Sequence, residues 1–267
     1  MKGNVISYNL KVDFGDKGVN AWSLRAKRIC KVIREYNPTI IGTQEGLIYM
    51  LNDMKELLPE YSWIGEGRSG ELALDSDEYN AIFYKNEELE LLEWGQFSLS
   101  ETPHIIGAKD WGCGCPRICT WARFKEIKNN SELMVYNTHL DHVSETGRAE
   151  GIKIVSQFMR DKYKENNLPY MLMGDFNCFT SERTFKIIAD IQDETFRLNN
   201  CYEQVANDVL CTFHDFKGEK HHGVIDYILT SKEFKTNSIE IFEGTVDGGY
   251  PSDHYPVIAY IDGIGRY

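Results

Sequence analysis

Short apolar stretches alternate along the chain with longer stretches in which apolar residues recur at helical spacing. Residues 4–8 and 39–43 have the length and composition of β-strands. Between them, the apolar spacing predicts an α-helix, which Asn37 and Pro38 end. The apolar positions of this helix are Trp22, Ala26, Ile29, Ile33 and Tyr36.

The remainder of the chain continues this alternation. Further strands are predicted at residues 80–85, 120–124, 133–138, 170–173, 224–230, 238–243 and 256–261. Helices are predicted at about 47–58, around Ile152, Val155, Phe158 and Met159, and around Phe185, Ile188 and Ala189 with a cap at Thr180 or Ser181. Residues 65–78 and 95–116 follow neither pattern and are predicted to be long loops, which in compact domains usually serve function.

Helices separated by single strands and by strand pairs indicate mixed β-sheets covered by helices, an α/β or α+β fold. No internal repeat, low-complexity tract or linker rich in Pro, Gly or Ser divides the sequence. We therefore expect residues 1–267 to form a single domain.

Composition indicates a globular cytoplasmic protein. Hydrophobic residues make up 42% of the chain, enough for a sizeable core, and the apolar runs have only the length of strands, so no membrane span is expected. The first residues lead into a strand without a basic and apolar leader. Seven cysteines, an odd number, are expected to be reduced thiols. Cys113, Cys115 and Cys119 raise the question of zinc, but no second ligand pair stands at the usual spacing. We expect a monomer.

The formal net charge of −12 bears on the partners of the protein. A general binder of nucleic acid presents a basic face that displaces counterions from phosphates. Here 41 acidic residues stand against 29 basic ones, so stable binding of duplex DNA is not expected. A small phosphoester or a short single strand is the more natural substrate.

One chemical pattern recurs, in which Asp, Glu, Asn or His stands directly beside an apolar strand. Any one of these residues alone is typical of a turn, because its side chain can bond its own backbone. Six instances in one chain favour a shared site, since strand ends at one edge of a sheet meet at a crevice. The six segments are 7–9, 40–45, 135–139, 172–177, 223–227 and 251–256.

In this order, the six segments resemble the endonuclease/exonuclease/phosphatase superfamily, which includes deoxyribonuclease I, exonuclease III, sphingomyelinases, inositol polyphosphate 5-phosphatases and deadenylases. The most specific motifs are Gly174-Asp175-Phe176-Asn177 and Ser252-Asp253-His254, followed by Gln44-Glu45. The resemblance implies a four-layer sandwich of two mixed β-sheets flanked by helices. Thr212-Phe213-His214 is similar to a segment of the deadenylase-like branch, although Asp215 replaces its glycine.

The resemblance also implies roles for individual residues. Glu45 corresponds to the principal Mg²⁺ or Mn²⁺ ligand, and Asn9 and Asp253 to positions beside the metal. The implied catalytic group is Asp175 acting on the attacking water, Asn177 and His139 at the phosphoryl oxygens, and His254 oriented by Asp226.

Further substrate-binding residues are predicted less directly. Arg117 resembles an arginine that some subgroups place near the substrate, and a surface arginine at a loop end is the alternative. Asn137 and Asp141 flank His139 and are expected to orient it, with Asn137 close to the phosphate; both also fit turn positions.

These expectations define a Mg²⁺- or Mn²⁺-dependent phosphoester hydrolase that uses metal-assisted water. A phosphodiesterase or 3′-exonuclease acting on single-stranded nucleic acid or a nucleotide-like substrate is the first hypothesis. A small-molecule enzyme of the inositol phosphate or sphingomyelin type is the alternative. A binding protein that lost catalysis is a third hypothesis, against which Glu45, Asp175 and His254 are all present.

Overall fold

The computed structural model describes residues 1–70 and 76–263. Its helices are α1 (Trp22–Tyr36), α2 (Ile48–Leu57), α3 (Glu145–Asn166), α4 (Arg183–Ile191) and α5 (Cys201–Gln204), with a 3₁₀ turn at Gly18–Asn20. Its strands are β1 (Lys2–Asn9), β2 (Ile40–Gln44), β3 (Gly46–Leu47), β4 (Tyr61–Ile64), β5 (Glu78–Tyr79), β6 (Ile82–Lys85), β7 (Leu89–Ser98), β8 (Ile118–Glu126), β9 (Glu132–His139), β10 (Tyr170–Asp175), β11 (Asn199–Asn200), β12 (Asp226–Thr230), β13 (Phe234–Ile241) and β14 (Val257–Gly263). None of the helices in these two ranges combines the length and the apolar character needed to span a membrane.

Two six-stranded sheets carry most of these strands. The first has the order β13-β14-β1-β2-β6-β4, and the second has the order β11-β12-β10-β9-β8-β7. Each sheet contains one parallel pair, β1 with β2 and β9 with β10, while its other neighbours are antiparallel. Both sheets are therefore mixed, and β3 with β5 forms a separate two-stranded ribbon.

Three apolar clusters define four layers. One cluster joins α1 and α2 to the outer face of the first sheet, and another joins α3 and α4 to the outer face of the second. The third lies between the sheets, where residues such as Val5, Val135 and Met173 are completely buried. Burial of this kind removes apolar surface from water on every layer boundary and is the main stabilising term. The predicted four-layer α/β fold is confirmed.

Some predicted boundaries are wrong. Gly95–Ser98, predicted to be loop, continues β7 and pairs with β8, where Gly95 leaves room for the Trp121 ring. Helix α4 follows Glu182, not a Thr180 or Ser181 cap, and that carboxylate accepts from the Phe179 N–H. Strand β12 starts at Asp226 and not at Val224, and the Thr212 hydroxyl accepts hydrogen bonds from the N–H groups of Ile225 and Asp226. Part of the predicted 65–78 loop lies outside the described residues.

A polar link crosses the apolar layer between the sheets. The amide nitrogen of Asn137 on β9 donates to the carbonyl oxygens of Thr43 at 2.8 Å and Ala81 at 2.9 Å. Its amide oxygen accepts from Gln44 Nε2 at 2.7 Å. Asn137 is completely buried, so each of these bonds replaces a bond to water that the folded chain cannot make.

We predict that Asn137→Ala lowers the free energy of unfolding by about 2–4 kcal/mol, because it removes three buried hydrogen bonds, to the carbonyls of Thr43 and Ala81 and from the amide of Gln44. Chemical denaturation followed by circular dichroism measures the change. The matched control is Asn52→Ala on the exposed face of α2, which should shift stability by less than about 0.5 kcal/mol. Equal effects of the two substitutions would contradict the assigned role.

Candidate active site

Strand register brings the central groups together at one edge of the second sheet. Asp175, at the end of β10, lies directly beside His139 on β9 and beside Asp226 on β12. On the first sheet, Asn9 ends β1 beside Gln44, which ends β2. Five strands of the two sheets therefore place polar side chains at the same edge.

Unusual backbone conformations aim several of these side chains. Glu45 and Asn177 adopt positive φ angles of 61° and 50°, which non-glycine residues rarely do. Directly before Asp175 on β10, a Cβ atom on Gly174 would lie 2.0 Å from the carbonyl oxygen of Thr138 on β9. Only glycine allows β9 and β10 to approach this closely, and strain of this kind concentrates at functional sites.

Asn9 ties the carboxylates of the two sheets together. Its amide nitrogen donates to Glu45 Oε1 at 2.9 Å and to Asp175 Oδ2 at 3.0 Å. Its amide oxygen accepts from the Lys11 N–H, so it faces the backbone and not the carboxylates. The second oxygen of Glu45 accepts from the Val12 N–H at 2.8 Å. Burial opposes ionisation of Glu45, but these donors outweigh it and lower its pKa below the usual value.

His254 and Asp226 form a buried pair. The Nδ1 atom of His254 lies 2.9 Å from Asp226 Oδ2, and its Nε2 atom lies 3.8 Å from Asp175 Oδ2. Burial lowers the pKa of His254, but the charge and hydrogen bond of Asp226 raise it more, so the net pKa lies well above the usual value. Asp226 thus fixes the ring and favours its charged form.

His139 has the opposite electrostatic environment. Burial lowers its pKa well below the usual value, and the charges of Arg117 and Arg68 lower it further. Its Nε2 atom lies 2.9 Å from Asn177 Nδ2, which also donates to the Leu140 carbonyl. Because an amide nitrogen can only donate, Nε2 is the acceptor here and His139 is neutral. A phosphoryl oxygen would have to replace this contact before His139 could donate from Nε2.

The acidic groups of the site are crowded, and its aspartates are buried. Burial and the neighbouring Asp226 raise the pKa of Asp175 to about 7, and burial raises that of Asp253 to about 6. Ligand atoms of Glu45, His139 and Asp175 lie within 4.8 Å of one another. Two carboxylates and an imidazole fit a divalent cation, whose charge would favour the ionised carboxylates.

Arg117 lines the pocket, but Asn137 and Asp141 do not play the predicted roles. Arg117 is 4% exposed and forms an ion pair with Asp141. Asp141 also accepts N–H bonds from the start of α3 and from Gly114, so it orients Arg117 and not His139. Asn137 links the two sheets and is not among the residues that line the pocket. Its assignment to phosphate binding is therefore corrected.

Sequence reasoning missed other residues that shape the pocket. Arg68 and Glu78 form a two-fold hydrogen-bonded pair on its wall, and Lys11 lines its mouth. Arg25, completely buried on α1, donates to the carbonyls of Leu10 and Lys11 and so fixes the segment after β1. Arg68 and Glu78 belong to the predicted 65–78 loop, where the sequence pattern indicates no contacts. The only sequence signal for Arg25 is a charged residue beside the apolar positions of the predicted helix.

The structure shows the surroundings of the three clustered cysteines and of His214 in the deadenylase-like segment. Cys113 and Cys119 are buried, while Cys115 groups with Asp141 and His142. Arg117 forms an ion pair with Asp141, and its positive charge disfavours a cation bound to Cys115, Asp141 and His142. His214 is buried and its ring stacks on Tyr255 at 3.9 Å, a packing role.

The family model for the endonuclease/exonuclease/phosphatase family matches residues 6–254. The chain belongs to this family. A search of curated proteins found no match to the sequence. Members of the family are phosphoesterase hydrolases, which supports a hydrolase activity for this chain.

Solved structures give the same fold. An endonuclease/exonuclease/phosphatase protein from Bacteroides vulgatus is 30% identical, with a TM-score of 0.88 over 98% of this chain and 99% of that chain. The mannosyl-6-phosphatase of Bacteroides thetaiotaomicron is 31% identical, with a TM-score of 0.87 over 97% and 99%. The human nocturnin catalytic domain is 18% identical, with a TM-score of 0.77 over 98% and 94%, and shares the fold.

We predict that the pKa values of His254 and His139 are shifted in opposite directions from the ordinary value in chelator-treated protein. NMR of the imidazole rings should find His254 protonated above its reference pKa of about 6.5, and His139 neutral below it. Because the folded pKa of His254 is raised, its pair stabilises the fold below about pH 6.5 and the contribution is lost as pH rises through the folded value. Asp226→Asn should lower the pKa of His254. An unchanged value in that variant would argue against the pair.

Proposed function

We propose that the protein is a divalent-metal-dependent phosphoester hydrolase whose substrate is a small phosphorylated compound, with a sugar phosphate as the first candidate. The observation that carries the proposal is the pocket in which Glu45, Asp175 and Asp253 face His139 and His254. Hard oxygen ligands, a base and a charged imidazole in one cleft suit attack of water on phosphorus.

The dimensions of the pocket support a small substrate. Its volume is about 320 Å³, in the range of sites that enclose small molecules. The mannosyl-6-phosphatase relative, 31% identical over 97% of this chain, carries a sugar phosphatase activity in its name. The net charge of −12 also disfavours a long anionic polymer.

The residues of the chain divide the chemistry between them. Asp175, with a pKa of about 7 before a cation binds, is placed to orient the water and accept its proton as the new P–O bond forms. The charged ring of His254 stabilises negative charge on the phosphoryl group, and Asp226 holds that ring. Asn177 supplies an amide donor to a phosphoryl oxygen. The P–O bond to the leaving group breaks, and its oxygen takes up a proton to give an alcohol and phosphate.

Glu45 and Asp253 would hold the cation, with Asn9 fixing the orientation of Glu45. Mg²⁺ or Mn²⁺ is the proposed ion, because carboxylate oxygens suit both. When bound, the cation supplies positive charge to the phosphoryl and leaving oxygens.

Nucleotide-like substrates and the 3′ ends of single strands form the second candidate class. The Thr212-Phe213-His214 resemblance favours that class, while the acidic surface and the packing role of His214 weigh against it. Inositol phosphates and sphingomyelin follow. We also propose that the protein acts as a monomer in the cytoplasm and does not bind duplex DNA stably.

We predict that a chelator abolishes phosphoester hydrolysis and that Mg²⁺ or Mn²⁺ restores it. Glu45→Ala should lose the rate and the response to metal together, because the main ligand is gone. Titration calorimetry with Mn²⁺ should find weaker binding in the same variant. Full activity in chelator would overturn the metal mechanism.

We predict that Asp175→Asn and His254→Ala each lower kcat by about 10³-fold or more, since each removes a group that acts at the reacting phosphorus. Circular dichroism should find both variants folded. The matched control is Asp190→Asn on the exposed face of α4, which should keep the parent rate. Rates of the two site variants within tenfold of the parent would place the reaction centre elsewhere.

We predict that phosphate release in the presence of Mg²⁺ is fastest with a hexose 6-phosphate. The comparison set is short poly(A), short single-stranded DNA, an inositol phosphate and sphingomyelin. Preference for an oligonucleotide would favour the nuclease hypothesis instead. No turnover of any of these, together with tight binding of one, would point to a silent binding protein.

A further inference from the structure

Two arginines form one wall of the pocket beside His139. Arg68 and Arg117 both line the cavity, and the side chain of Arg117 is 4% exposed and that of Arg68 17%. Removing a guanidinium from water is costly unless partners compensate, and such buried ion pairs are often no more stable than apolar replacements. Their position in the pocket therefore indicates a role in binding. We call Arg68 and Arg117 the arginine wall.

Arg117 is held firmly but is only partly neutralised. Its Nε atom lies 3.3 Å from Asp141 Oδ2, and its Nη2 atom lies 2.9 Å from His142 Nδ1. Asp141 also accepts backbone N–H bonds from Gly114, Val143 and Ser144, so its charge is shared among four donor residues. Within the described part of the chain, Nη1 of Arg117 has no hydrogen-bond partner. One donor group is left over on a fixed cation.

The ribbon of β3 and β5 connects Arg68 to the backbone next to Glu45. Its two Nη atoms donate to the two oxygens of Glu78 at 2.8 and 2.7 Å, and its backbone N–H donates to the Glu78 carbonyl. Glu78 belongs to β5, which pairs with β3 directly after Glu45. The ribbon of β3 and β5 therefore sets the distance between the arginine wall and the proposed metal position.

The donor Nη1 of Arg117, unpaired within the described residues, suits a phosphomonoester better than a phosphodiester. A phosphomonoester carries a charge of about −2 near neutral pH and has three terminal oxygens, whereas a diester carries a single charge and has an ester chain on the third oxygen. A planar guanidinium binds such oxygens well. With Asn177 at one terminal oxygen, the third terminal oxygen, which a diester carries as an ester, would face the arginine wall.

We propose that Arg117, supported by Arg68, selects the terminal phosphate of a monoester and makes the protein a phosphomonoesterase. This inference rests on the proposed hydrolase function. An ester chain in place of the third oxygen would leave Arg117 Nη1 without a partner and would bury its charge against carbon, which is costly.

The test compares p-nitrophenyl phosphate with bis-p-nitrophenyl phosphate, which share a leaving group, in the presence of Mg²⁺. The parent should have a higher kcat/KM with the monoester by at least about tenfold. Arg117→Gln should lower that value by roughly 10²-fold and change the diester value by less than about threefold. Arg68→Gln should move the ratio in the same direction, and Arg117→Lys should retain part of the preference.

A second measurement guards against misfolding of the Arg117 variant. Inorganic phosphate should inhibit diester hydrolysis by the parent, and the inhibition constant should rise in both Arg68→Gln and Arg117→Lys. Arg123→Gln, on strand β8 that begins directly after Arg117 and in a half-buried pair with Glu132, is the matched control and should leave the ratio and the inhibition constant unchanged.

The outcomes separate the two levels of the proposal. Hydrolysis with a parent preference for the diester, or equal losses on both substrates in the variants, would overturn the selection by Arg117 and Arg68 and leave the hydrolase function standing. No metal-dependent hydrolysis of either substrate by the parent would overturn both.

Discussion

The pairing of β9, β10 and β12 places His139, Asp175 and Asp226 side by side, and the rest of the site depends on this register. Two carboxylates on neighbouring strands repel each other, and burial adds a further penalty to their ionisation. A slip of one residue in either pairing would send these side chains to the opposite face of the sheet. The charge imbalance is thus built into the sheet, and a bound cation would relieve it.

Other features of the fold make this arrangement tolerable. The first sheet brings Asn9 and Glu45 across to Asp175, and Asn9 donates to both carboxylates. Asn137 bonds the two sheets just below the site, so their separation at the edge is fixed by hydrogen bonds as well as by apolar packing. Gly174 lets β9 and β10 approach closely at the same level. Stability is lost locally at the pocket and recovered in the apolar layers behind it.

The sequence carries enough information for the layers and for the central residues, but not for their supports. Asp175 follows an apolar run at the end of β10, whereas Asp226 starts β12 and His254 precedes β14. The resemblance of the six ordered segments to the family, more than the strand pattern, therefore predicted that these three residues belong to one site. Asn137 has the same local signature as a site residue, and only the packing of the second sheet on the first separates the two roles. The pair of Arg68 and Glu78 depends on the path of a loop, which no periodicity specifies.

The balance of charge differs between the surface and the pocket. The chain carries a net charge of −12, yet the pocket wall beside His139 is made of two arginines. Exposed charges are screened over about 8 Å at physiological ionic strength, whereas partly buried charges are screened much less. The binding of an anionic ligand small enough to enter is therefore determined by Arg68, Arg117 and the proposed cation, while a long polyanion also meets the acidic surface. The same separation allows a few side chains in the pocket to determine the choice of substrate while the fold stays constant.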